Sequence, residues 1–147
     1  MEKAERVLYR YGSLKNSINE CKEDIKELYA EKYSCVDEML RPPRLGTESK
    51  RPNGHSDPVY KVVQKMVDIY DARIAKATAH LRSLCLEYDE LKEKIRDAGL
   101  SKEEREYVEM RYVRGLYVGE VVRAMNYSER QTQRLRRNVI RSVGNVV

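Results

Sequence analysis

Apolar residues recur at alternating steps of three and four along two long stretches of the chain, and this spacing constrains its fold more than any other feature. The first series is Ala4, Val7, Tyr11, Leu14, Ile18, Cys21, Ile25 and Leu28; Lys32 interrupts it, and Cys35 and Met39 resume the register. The second is Val63, Val67, Tyr70, Ile74, Ala77, Leu81, Leu84, Tyr88, Leu91, Ile95 and Ala98. A repeat of 3.5 residues is the seam of a helix that packs along another helix. Glu20, Lys22, Glu23, Asp24, Lys26 and Glu27 cover the other faces of the first stretch.

Both stretches have clear ends. All four prolines fall between residues 42 and 58. Helix potential stops at Arg41-Pro42-Pro43, because a residue before proline disfavours the α region. It resumes at Asp57-Pro58, an N-cap carboxylate followed by proline at the first helical position. Gly99 stands where a left-handed C′ residue is needed, with Leu100 supplying the accompanying apolar contact. Residues 1–99 are therefore expected to form a long antiparallel, coiled-coil-like helical hairpin, with a polar, mobile linker over about 41–57. Two helices alone bury little surface. The seams are expected to be completed by a second chain, giving a homodimer or higher oligomer, or by the C-terminal domain.

Residues 100–147 have a different rhythm. Ser101 and Glu104 form a capping box that opens a helix from Lys102 to about Arg114, with Val108 and Tyr112 facing inward and Gly115 ending it. A short helix follows over about Val118–Met125, with Val121, Val122 and Met125 inward. Asn126-Tyr127 makes a turn, and Ser128 with Gln131 forms a second capping box. Two short helices joined by a tight turn, the second rich in Arg and Gln, match a helix-turn-helix. The fold expected for the whole chain is all-α: the hairpin, then a three-helix domain over 100–147.

The last helix is amphipathic in an informative way. At about 100° per residue, Thr132, Leu135, Val139 and Val143 share one stripe, and Arg130, Arg134, Arg137 and Arg141 lie opposite, flanked by Gln131 and Gln133. Residues 123–147 hold six arginines against one glutamate, whereas residues 1–40 hold seven basic against nine acidic side chains. A polyanion is expected to bind at the C-terminal end. Arginine can bond guanine O6 and N7 in pairs, and glutamine can pair with adenine N6 and N7. Early residues of such a helix reach base edges, so Arg130, Gln131, Gln133 and Arg134 are the candidate base contacts. Arg137 and Arg141, with Arg136 behind them, are the candidate phosphate contacts. Glu129 complements the helix dipole or accepts from a cytosine amino group.

Other classes find little support. With 36% charged residues and a mean hydropathy of −0.76, no membrane span is expected. The opening MEKAERVLYRY has no apolar core of a secretory signal. Cys21, Cys35 and Cys85 are widely spaced and read as free thiols of a reducing compartment. His55 and His80 have no ligand neighbours at helical spacing. No phosphate loop or catalytic motif occurs, so no enzyme activity, cofactor or metal is expected.

The stretch LSKEEREYVEMRYVRGLYVGEVVRAMNYSERQTQRLRRNVIRSV resembles region four of bacterial sigma factors. The likeness is carried by Leu100-Ser101, Arg111-Tyr112, Gly115-Leu116, Glu120-Val121-Val122 and Ser128 ahead of the Arg-rich helix. It departs at Tyr117, where the family has a capping Ser or Thr, at Gly119 inside a helix, and at Val122 in place of Ala. Nothing resembles sigma region two. The layout of the whole chain is similar to small phage and prophage late transcription regulators of the ArpU and RinA type. The resemblance implies a sequence-specific regulator of late phage genes in a bacterial cytoplasm, with double-stranded DNA and RNA polymerase as partners. Two alternatives share the features: a DNA-packaging component like a small terminase subunit, and an adaptor that binds polymerase without reading DNA.

Overall fold

A computed structural model describes residues 2–40 and 57–147. The expected linker lies outside them up to the start of the second helix, and so does the expected Asp57 side-chain cap. Among the described residues every regular element is helical: α1 (Lys3–Leu40), α2 (Asp57–Asp97), α3 (Lys102–Val108), α4 (Val118–Met125) and α5 (Glu129–Gly144), with a π-helical turn over Glu109–Val113 continuing α3. No helix among them is long and apolar enough to cross a membrane.

The chain forms two compact units, Met1–Glu20 with Arg82–Val147, and Cys21–Leu81. The division does not fall at residue 99. The first half of α1 and the last part of α2 belong with the C-terminal segment, because their apolar seams are completed by it.

The Cys21–Leu81 unit consists of α1 and α2 segments whose partners run in opposite order. Cys21 Sγ lies 3.5 Å from the Ala77 carbonyl oxygen, and Lys32 Nζ lies 2.6 Å from Asp71 Oδ1. Lys32, which interrupts the seam, thus meets a carboxylate on the facing helix. Of the seam residues, Cys21, Val63 and Ile74 are buried and the rest are half-buried. Tyr29, Tyr33, Val62 and Ile69 lie off the seam and stay exposed.

The larger unit has the main core. Ala4, Leu8, Leu100, Tyr107, Val108, Tyr112, Val121, Val139 and Val143 form one buried cluster. Burying a leucine such as Leu8 contributes about 1.5–3 kcal/mol. On the outside, Arg10 makes a two-pronged bond to Glu87, both contacts at 2.7 Å. The Tyr11 and Tyr88 rings stack at 5.2 Å.

Helix ends follow the expected chemistry. Gly99 follows α2 with φ +64°. Ser101 accepts from the Glu104 amide, and Glu104 accepts from the Ser101 amide. Asn126 closes α4 in the left-handed region, φ 57°. At Tyr117 only half of a capping box exists: Glu120 accepts from the Tyr117 amide at 3.0 Å, and the phenol supplies nothing to the helix end.

One element differs from expectation. The helix expected over 102–114 is α-helical only to Val108, and then widens into the π turn, where the Arg114 amide bonds the Glu109 carbonyl five residues back. Tyr107, Val108, Tyr112 and Val113 are all buried. In a regular α-helix, residues five apart are rotated by about 140°. Absorbing one extra residue brings such pairs to within about 40°, and the Tyr107 and Tyr112 rings meet edge to face at 6.2 Å. Against this turn lies Gly12 of α1. A Cβ built on Gly12 would stand 2.6 Å from the Tyr112 carbonyl carbon and 3.1 Å from the Val113 Cα. The two backbones touch because residue 12 has no side chain.

Candidate nucleic-acid interface

Helix α5 is fixed at its start. Ser128 Oγ accepts from the Gln131 amide at 3.2 Å, and Gln131 Oε1 accepts from the Ser128 amide at 3.0 Å. Thr132 Oγ1 donates to the Ser128 carbonyl at 3.1 Å, which disposes of its hydroxyl inside the core. Thr132, Val139 and Val143 are fully buried and Leu135 is half-buried, so the expected stripe is the one that packs on α3 and α4.

All seven side chains singled out from the sequence are exposed: Arg130, Gln131, Gln133, Arg134, Arg136, Arg137 and Arg141. They differ in what they are free to do. Among the described residues, no carboxylate lies within ion-pair distance of Arg130, Arg134, Arg137 or Arg141. Nothing among the described residues therefore engages the donors of these four guanidiniums through an ion pair.

Arg136 is already engaged. Its Nη2 lies 3.0 Å from Glu5 Oε1, and that hydrogen bond, ahead of all other influences, raises its pKa. The same carboxylate oxygen accepts from the Tyr112 hydroxyl at 3.4 Å. Glu5 is almost wholly buried, so this contact ties α5 to the start of α1. As placed here, Arg136 anchors the helix rather than offering its charge outward.

Gln131 is also restricted. Its Oε1 takes bonds from both the Ser128 amide and the Ser128 hydroxyl. An amide oxygen has two lone pairs, so Gln131 retains only its NH₂ donors while the cap stands. Pairing with adenine needs that oxygen as well. Gln133 carries no such duty.

The Arg111-Tyr112 pair turns inward. Arg111 donates to the Leu116 carbonyl and to the Tyr9 hydroxyl, each at 3.0 Å, and its guanidinium lies over the Tyr9 ring. Tyr9 and Tyr112 meet edge to face at 4.9 Å. Burial, above all, raises the pKa of Tyr107 and of Tyr112. The Tyr107 hydroxyl has no hydrogen-bond partner among the described residues.

Sequence reasoning missed Glu5, Tyr9 and Gly12 as the residues that seat α1 against this unit. From Ala4, itself a seam residue, Leu8 and Gly12 follow at steps of four beside the seam, a second stripe that was there to be read. The pairing of Glu5 with Arg136 has no local signal. Among the described residues, no group of three or more potential ligand side chains stands ready for a metal. No protein-family model matches the chain, and no curated protein or solved structure is significantly similar to it.

Proposed function

We propose that the chain is a sequence-specific DNA-binding transcription regulator that reads the major groove with α5. The observation that carries this reading is the row Arg130, Arg134, Arg137 and Arg141, exposed and without a carboxylate partner among the described residues, opposite a buried stripe. In this reading α4 and α5 are the two members of a helix-turn-helix, with Asn126–Ser128 as the turn. Arg130, Gln133 and Arg134 contact base edges, Gln131 does so through its NH₂ donors, and Arg137 and Arg141 contact phosphates. Arg136 holds α5 against α1.

The proposed setting is late-gene control by a phage or prophage in a bacterial cytoplasm, by the likeness to sigma region four and to small phage regulators. The Cys21–Leu81 unit serves as the arm of a homodimer, since Tyr29, Tyr33, Val62 and Ile69 leave apolar surface for a second copy to cover. That surface equally suits the larger ring of a DNA-packaging component, which is the second reading.

The test is binding of the purified chain to candidate promoter duplexes by fluorescence anisotropy at several salt concentrations, with particle mass from light scattering. Arg137→Ala weakens every sequence alike and lowers the salt slope by about 1. Arg130→Ala costs about 1–3 kcal/mol on the preferred site and relaxes its base preference. If neither substitution changes binding, the reading is wrong. A ring-sized particle favours packaging over regulation.

A further inference from the structure

The larger unit has a second basic feature that shares no residue with α5. A cleft of about 430 Å³ opens where the end of α2 turns into α3. Its floor is apolar: Ile95, Leu100 and Val108. Its rim has three cations, Lys92, Arg96 and Arg105, all exposed. Among the described residues, no carboxylate lies within ion-pair distance of Lys92 or Arg105, and Arg96 meets only Glu93 at 3.3 Å, a largely exposed pair. Such a surface pair contributes little. The one acidic lining residue, Glu109, already faces Lys15 at 3.3 Å. Among the described residues, nothing stands within 4 Å of where a Cβ on Gly99 would be.

We infer that this cleft docks an acidic protein segment that presents aliphatic side chains between its carboxylates. The charge on the rim selects the carboxylates and speeds encounter. The floor is what separates a peptide from a nucleic acid: a phosphodiester backbone needs cations but has nothing to place on Ile95, Leu100 and Val108. A leucine-sized side chain gains there by leaving water, about 25 cal/mol per Å² covered. The inference stands independently of DNA reading by α5, since none of the cleft residues lies on that helix.

The test uses the full chain and a fluorescein-labelled acidic peptide with two leucines one helical turn apart. A companion peptide has serines in their place, and a single-stranded oligothymidine serves as the nucleic-acid control. The expected result is binding of the leucine peptide at least about tenfold tighter than the serine peptide, with methyl NMR shifts at Ile95, Leu100 and Val108. Lys92→Glu combined with Arg105→Glu abolishes it, while Arg137→Ala leaves it intact. The proposal is overturned if the two peptides bind equally, if the oligothymidine displaces the leucine peptide from these methyls, or if the shifts fall on α5 instead. The methyl shifts are read on the unsubstituted chain, so they decide the matter even if the double variant does not fold. Promoter binding is measured separately, so a failure of either idea is seen on its own.

Discussion

Two glycines in helices predict opposite responses to the same substitution. Gly12 lies inside α1 and Gly119 lies in the first turn of α4. By propensity alone, alanine is better than glycine by about 1 kcal/mol in a helix interior, and by somewhat less so near a helix start. Nothing lies within 4 Å of a Cβ on Gly119, so Gly119→Ala is expected to stabilise by about 0.5–1 kcal/mol. At Gly12 the new atom would come within 2.6 Å of the Tyr112 carbonyl carbon and 3.1 Å of the Val113 Cα. These are backbone atoms of a hydrogen-bonded turn and cannot rotate aside. Relief requires α1 to move away, and that loosens Leu8 and Leu14, both fully buried. Overpacking of this kind costs about 1–3 kcal/mol or more. Because the obstacle is backbone, the upper end applies, and after the propensity gain Gly12→Ala is expected to destabilise by about 1–3 kcal/mol. For a chain of this size that lowers Tm by about 2–12 °C, whereas Gly119→Ala raises it by about 1–4 °C. Urea and thermal unfolding followed by circular dichroism at 222 nm reads both. A Gly12→Ala chain as stable as the parent, or more so, would refute the close approach of α1 to the π turn.

Three other outcomes follow from the same unit. Tyr107→Phe removes a hydroxyl that is buried without a partner among the described residues, so stability is expected to stay level or rise by up to about 1 kcal/mol; a clear loss in urea would mean the hydroxyl has a partner. Burial raises the Tyr107 and Tyr112 pKa values, so the folded chain keeps protons that the unfolded chain releases from about pH 10. The stability they contribute is whole below that pH and is lost as pH rises through the raised values; a midpoint in urea that stays flat through this range would contradict it. Glu5→Gln deprives Arg136 of its carboxylate and is expected to cost about 1 kcal/mol, discounted because Arg136 is half exposed. If α5 binds DNA, the released guanidinium also steepens the salt dependence by about 0.9, and an unchanged slope would show that Arg136 was never withheld.

The long helices were legible because a 3.5-residue repeat is written in side-chain type alone. Val63, Ile74 and Leu84 are where the repeat puts them, and they are buried. The stripe on α5 was legible for the same reason, since Thr132, Val139 and Val143 need only the helical period. Capping was equally open to reading at Ser101 and Ser128, where donor and acceptor lie three residues apart. What escaped depends on distant segments. Glu-Met-Arg-Tyr-Val over 109–113 contains no helix breaker, and its widened turn is explained by the packing of Tyr107 and Tyr112 and by the backbone of Gly12. The pairing of Arg136 with Glu5 was missed likewise, because the two are 131 residues apart. The competition between capping and base reading at Gln131 was missed for a simpler reason: two roles were given to one oxygen.

The widened turn also sets how this segment tolerates changes in length. Losing a single residue between Glu109 and Val113 would let the backbone close into ordinary α geometry, with every hydrogen bond satisfied. Everything after the deletion would keep its face, because residues that stood five apart across the turn would then stand four apart in an α-helix, still within about 40°. A one-residue insertion would instead swing it by about 100°, carrying an aromatic and an aliphatic side chain from the interior towards water. Point substitutions at Met110, which is only half-buried, and a one-codon deletion are therefore expected to be absorbed, while a one-codon insertion at the same place is not. In this stretch losing a residue is expected to matter less than gaining one.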